Sequence, residues 1–182
     1  MSELFGGPAF SDSAYTTQGG LALGTVRTDN YGNRYVYTEY VGGAGNVEAL
    51  TGCPVGIYAP SAADGTIKKV TADLSDSGED NFVGLAANDF TGAASTSYYG
   101  WVMIEGFLET GLNGAGITPT TGGSVAQGDA LYWSADKVLA GLAVGGTPAD
   151  HSFCGVAYAA DTAAPVLAKG FITCNLNIHA AA

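Results

Sequence analysis

Acid, base or nucleophilic chemistry needs polar side chains held against one another, and few residues of this chain are spaced for it. Its two histidines, His151 ahead of an apolar run and His179 close to the last residue, stand in no hydrolase or metal-binding signature. Glu105 and Glu109 form a carboxylate pair on an apolar stretch, but four residues of strand separate them by about 13 Å, beyond either spacing used in glycoside hydrolysis. In Gln127-Gly-Asp129, Asp129 reads as a turn residue whose carboxylate accepts backbone N–H groups. The acidic stretch Asp73-Leu-Ser-Asp-Ser-Gly-Glu-Asp80 has oxygens enough for calcium, yet its spacing departs from the EF-hand pattern, and it reads as a solvated loop. The glycines from Gly111 to Gly116 lack the spacing and the following helix of a dinucleotide or phosphate loop. Cys53, Cys154 and Cys174 make neither a disulfide framework nor a zinc site and read as small buried apolar residues, with Cys174 pointing into the core by alternation. The sequence thus assigns no catalytic residue, no metal and no cofactor.

Binding is the chemistry that is left. Trp101, Trp133, Tyr98 and Tyr99 could stack on a sugar, although aromatic residues in short strands are more often packed. In Trp101-Val-Met-Ile-Glu-Gly-Phe-Leu108, alternation sets Val102, Ile104 and Leu108 on one face and Trp101, Met103, Glu105 and Phe107 on the other. That second face is too aromatic for solvent, so either a companion sheet or another subunit must cover it. Trp101, Met103 and Phe107 are accordingly candidates for a subunit interface. Residues 1–20 carry widely spaced Leu4, Phe5, Phe10 and Tyr15 on a Gly, Ser and Thr background, the pattern of an extended arm whose isolated anchors dock on a neighbour.

The elements that position these residues are strands. A length of 182 residues suffices for one sizeable core, and 47% hydrophobic against 13% charged residues with 28 glycines describes strands joined by tight turns. A net charge of −11, with Arg27, Arg34, Lys68, Lys69, Lys137 and Lys169 scattered, disfavours nucleic acid as a partner. No apolar run approaches the roughly 20 residues of a membrane span, and Met-Ser-Glu-Leu-Phe-Gly-Gly lacks the regions of a signal peptide, so assembly in a cytoplasm is expected.

The chain also repeats itself. Phe82-Val-Gly-Leu-Ala86 returns as Phe153-Cys-Gly-Val-Ala157, Gly100-Trp-Val-Met-Ile104 as Gly170-Phe-Ile-Thr-Cys174, Lys69-Val-Thr-Ala72 as Lys137-Val-Leu-Ala140, and Gly56-Ile-Tyr58 as Ala130-Leu-Tyr132. The order is kept. After the arm comes a β domain over 21–182. It opens with an N-terminal hairpin (21–52), in which Leu21 to Arg27 and Arg34 to Val41 flank the turn Asn30-Tyr-Gly-Asn33 and Asn46 caps one helical turn. β module one (53–112), a linker (113–124) and β module two (125–179) follow. With about four strands each, the modules are expected to close together into one small all-β barrel or sandwich.

From Ser124-Val-Ala-Gln-Gly-Asp-Ala-Leu-Tyr-Trp133 through Lys137-Val-Leu to Phe153-Cys-Gly-Val-Ala-Tyr158 and Gly170-Phe-Ile172, the second module resembles a pattern in small head proteins of tailed bacteriophages, the capsid decoration or cement proteins. There a Gly-Asp-x-apolar-Tyr-Trp strand precedes a Gly-Val-Ala strand and a final apolar strand. The first module departs from the pattern, since Cys53-Pro-Val-Gly-Ile-Tyr58 lacks the Gly-Asp and Gly84-Leu-Ala86 replaces Gly-Val-Ala. The resemblance implies a virion structural protein that is not an enzyme and that binds the major capsid protein on the outer surface of the shell as a homotrimer. On that reading Leu4, Phe5, Phe10 and Tyr15 touch the capsid. A glycan- or receptor-binding virion appendage, such as a head fibre or tail protein, is the alternative.

Overall fold

The computed structural model describes residues 13–30, 32–58, 67–77, 82–91, 96–108, 120–121, 125–135, 138–142, 153–157, 166–167 and 170–173. The first strands, Val26–Thr28 (β1) and Arg34–Tyr40 (β2), form the expected antiparallel hairpin. Its turn is closed by Gly32 at φ 88° and by Asp29, whose carboxylate accepts from Asn33 N and Nδ2 at 2.9 Å each and from the Tyr35 hydroxyl at 3.1 Å. The helical turn expected at Asn46 does not form. Asn46 takes φ 54°, a left-handed conformation that asparagine tolerates, and ends a tight turn in which Val47 N donates to Gly42 O, while the next residues are held extended by the antiparallel bridge of Ala49 with Phe90.

Next come Pro54–Ile57 (β3), Lys69–Thr71 (β4), the single helical turn Leu74–Ser77 (α1), Phe82–Ala86 (β5) and the eleven-residue Tyr98–Leu108 (β6). The remaining strands are Thr120–Thr121 (β7), Ala130–Ala135 (β8), Val138–Leu142 (β9), Phe153–Ala157 (β10), Val166–Leu167 (β11) and Gly170–Thr173 (β12). Strands β2, β4, β3, β5 and β6 pair in that order, and β6 returns to β2, closing a five-stranded barrel. Of the two all-β forms expected from the sequence, a small barrel or a sandwich, the chain adopts the barrel. Its closing strand, however, comes from the N-terminal hairpin and not from the second module.

Alternation divides β2, β5 and β6 between two cores. Val36, Tyr40, Val55, Val70, Val83, Ala86, Val102 and Ile104 fill the barrel, with Tyr40 stacked on Phe90 at 4.8 Å. Tyr35, Tyr37, Phe82, Leu85, Trp101 and Met103 face outward, where they form one buried cluster with Leu131, Trp133, Cys154 and Ala157 of the second module. The second module of the same chain therefore covers Trp101 and Met103 of β6.

The second module repeats the ring of pairings in the same register. Val55 opposite Gly84 corresponds to Leu131 opposite Gly155, Ile57 opposite Val70 to Trp133 opposite Leu139, and Leu85 opposite Met103 to Val156 opposite Phe171. The parallel pair of Tyr40 and Val70 returns as Thr121 and Leu139, and the antiparallel pair of Tyr40 and Tyr98 as Thr121 and Val166. Both copies skip one residue, Val83 or Cys154, as a bulge between the Phe and the Gly of the shared motif. The glycine is required by close approach: a Cβ on Gly84 would collide with the carbonyl oxygen of Met103 across the ladder.

This register corrects three of the sequence alignments. Pro54-Val-Gly56, rather than Gly56-Ile-Tyr58, matches Ala130-Leu-Tyr132; Val70 matches Leu139; and Val102, rather than Gly100, matches Gly170. Short apolar strands slide past one another in a sequence comparison, whereas the bulged Phe-x-Gly motif cannot, and that one alignment stands. The units also share a strand. Glu105 to Leu108 of β6 pair with β12 as Arg34 to Val36 of β2 pair with β6, and Thr120–Thr121, in the expected linker, then completes the same role.

Candidate interaction site

Where the N-terminal segment meets the barrel, residues 13–18 lie against β6, β2 and the connection after β5. Ser13 bridges Asp89 in the parallel sense and Tyr15 bridges Tyr99 in the antiparallel sense. Ala14 N donates to Asp89 O at 3.0 Å, and Tyr15 and Tyr99 exchange N–H···O bonds of 2.9 and 2.7 Å. Ala14 is buried against the barrel's inner cluster, while Tyr15 is half-buried. The Tyr37 hydroxyl donates to Gln18 O at 2.9 Å. Burial, then the neighbouring phenols of Tyr15 and Tyr99, push the Tyr37 phenol above its ordinary value, so it stays a protonated donor at neutral pH.

The floor of the site is built from polar side chains turned to backbone. Asn88 Oδ1 accepts from Trp101 N at 2.7 Å, and Asp89 Oδ1 accepts from Thr51 N at 2.8 Å and Thr51 Oγ1 at 3.0 Å. Neither residue was singled out by sequence reasoning; the signal was present as an Asn-Asp pair directly after an apolar strand, where buried carbonyls and amides need partners.

A second polar knot lies at the turn that follows β2. Asp73 Oδ2 accepts from Gly45 N at 2.9 Å, Asp73 Oδ1 accepts from Ser75 N at 3.1 Å and Ser75 Oγ at 2.6 Å, and Asp76 Oδ2 accepts from Ala44 N at 2.6 Å. Burial pushes the Asp73 carboxyl upward, but the bonds from the Ser75 hydroxyl and from the amides of Gly45, Ser75 and Asp76 outweigh it and hold the group below the usual carboxylate range. The stretch read as a solvated acidic loop thus contributes two carboxylates to a structural knot, with the first turn of α1 built on Asp73 as its cap. Among the described residues no group of three or more His, Cys, Asp or Glu is placed to hold a metal ion.

Other residues weighed from the sequence fall as follows. Asp129 Oδ2 accepts from Ala126 N at 2.9 Å beside Gly128 at φ 89°, the turn role expected of it. Glu105 is exposed and accepts from Arg34 Nη1 at 2.8 Å, while Lys69 pairs with Glu39 at 3.3 Å. Cys53 and Cys154 are buried, as expected. Trp101 and Met103 are 0% exposed inside the single chain, which overturns their assignment to a subunit interface: the second module already occupies that face. With Trp133 equally buried, the sugar-stacking platform loses both tryptophans and keeps only the half-buried Tyr98 and Tyr99. Phe107 pairs through its backbone with Phe171. Leu4, Phe5, Phe10, Glu109, His151, Cys174 and His179 lie outside the described residues.

The arrangement can bind extended chain through backbone hydrogen bonds and can hold loops rigid; the Tyr37 hydroxyl is a donor, and the carboxylates of Asp73, Asp76 and Asp89 accept backbone bonds. Comparison with family models, with curated proteins and with solved structures gave no match.

Proposed function

We propose that this chain is a capsid decoration protein of a tailed bacteriophage, bound to the outer surface of the major capsid protein shell and stabilising the head by bridging neighbouring subunits without chemical turnover. The observation that carries the reading is the pattern of the second module, Gly-Asp-x-apolar-Tyr-Trp, then Gly-Val-Ala, then a final apolar strand, repeated more loosely in the first. Further support comes from how the polar residues are used. Glu105, Asp129, Asp73 and Asp76, the described carboxylates weighed for chemistry, hold a strand, a turn and a loop in place. A net charge of −11 suits an outer surface and not one beside packaged DNA. Contacts to several shell subunits at once make each further contact effectively intramolecular, so the shell resists separation.

The deciding experiment is copy number. Mass spectrometry of purified virions, with a cryo-EM map of the native head, is expected to find the chain in hundreds of copies on the outside of the shell, in trimers. Heads that lack it, or a handful of copies confined to the tail, would refute the reading; the tail result would favour the glycan- or receptor-binding alternative. Removing residues 2–12 while keeping the seated Ser13 to Tyr15 tests the arm, and unchanged occupancy on heads would rule out Leu4, Phe5 and Phe10 as anchors.

A further inference from the structure

The contacts that hold Ser13 to Tyr15 are those of an added strand. Backbone bonds of this kind accept extended chain of many sequences, and side-chain pockets supply the selectivity. Here the selectivity comes from Ala14, only 8% exposed within the barrel's inner cluster, so the slot between Asp89 and Tyr99 admits a small residue at its centre. Past Tyr15, residues Thr16 to Gly20 are all exposed, and Thr-Thr-Gln-Gly-Gly reaches up to about 17 Å when extended. The seat of Gln18 adds one bond, from the Tyr37 hydroxyl.

We propose that this slot is filled reciprocally between copies of the chain: residues 13–15 of one copy seat on Asp89 and Tyr99 of a second copy when copies stand side by side. The occupant has the same sequence in both arrangements, so the bonds lost on leaving one slot are regained in the other. The balance is then set by the local concentration of the neighbour's slot against that of the chain's own slot through the Thr16 to Gly20 tether. Two copies of the chain are sufficient, and no capsid is involved, so the exchange can fail while the capsid reading holds, or the reverse.

Because Tyr15 and Tyr99 exchange both backbone bonds, their Cα atoms lie about 5.5 Å apart, within the range a disulfide spans. Two full-length chains with different tags, one carrying Tyr15→Cys and the other Tyr99→Cys, are mixed at high concentration, oxidised and run on non-reducing gels. A mixed dimer through the introduced thiols is expected to predominate over either homodimer, to rise with protein concentration, and to be lost when Ala14→Asp is added to the first chain. The double variant Tyr15→Cys/Tyr99→Cys, oxidised when dilute, is expected to close its disulfide within one chain, showing that the thiols meet in the seat. A mixed dimer no more abundant than the homodimers, beside efficient closure of the double variant, overturns the exchange. Failure of the double variant to close overturns it also, since the slot itself would then not be occupied as described.

Discussion

Removing the Asp73 carboxylate should undo the knot that fastens the turn after β2 to the start of α1. Asp73→Ala deletes three hydrogen bonds, from Gly45 N, Ser75 N and Ser75 Oγ, and leaves α1 without its cap. Bonds to charged groups contribute about 1.5–3 kcal/mol each when buried, but Gly45 and Ser75 are exposed and water replaces part of what is lost, so the expected total is about 2–3 kcal/mol. For a chain of this size that corresponds to a fall in Tm of about 4–12 °C. Asp73→Asn keeps an acceptor oxygen and loses the charge, and it isolates the pH term. The carboxyl is held below its unfolded value, so its contribution is fully present above the ordinary carboxylate pKa and is lost as pH falls through the depressed folded value. Urea denaturation of wild type and Asp73→Asn between pH 7 and pH 3 should therefore show a stability gap that narrows toward acid. A gap of constant size across that range, or an Asp73→Ala protein that melts within about 1 °C of wild type, would refute the reasoning.

Trp101→Ala should destabilise by about 3–5 kcal/mol, with a denaturant midpoint independent of protein concentration; a concentration-dependent loss would return Trp101 to an interface. Gly84→Ala should destabilise by about 3 kcal/mol, the upper end of overpacking, because its Cβ meets the Met103 backbone across the ladder, and Gly155→Ala should behave alike if the two units are equivalent. Thr38 is fully buried with a hydroxyl that has no hydrogen-bond partner among the described residues. Thr38→Val should accordingly raise the urea midpoint, by up to about 1–3 kcal/mol in stability, and a fall of similar size would show that the hydroxyl is satisfied.

Much of the fold was legible because local and tertiary signals agree in the right places. The Asp29 to Asn33 turn announces its hairpin, and Phe-x-Gly-x-Ala marks β5 and β10 because each carries a bulge at the motif, and at Gly84 a close strand approach leaves no other residue room. Alternation along β6 divided its side chains correctly, with Val102 and Ile104 in one core and Trp101 and Met103 in the other. What alternation cannot tell is who covers a face, since burial by the same chain and by a neighbour leave the same pattern. The same alternation is therefore equally consistent with Trp101 and Met103 at an interface between subunits. The site was harder to read. Asn88 and Asp89 act on Trp101 and Thr51, 13 and 38 residues away in the chain, and long-range bonds to backbone leave no spacing to recognise. The knot of Asp73 and Asp76 was hidden for the same reason, its partners being the amides of a glycine loop some 30 residues earlier.

Strand β6 belongs to both rings: its first half completes one wall, and Glu105 to Leu108 open the other. Glu105 pairs with Arg34 in one ring and with Thr173 in the other, so a cut of the backbone on either side of it takes a pair from one ring. Tension applied to either half is carried along a single extended backbone into its twin, so the pair should yield as one mechanical body.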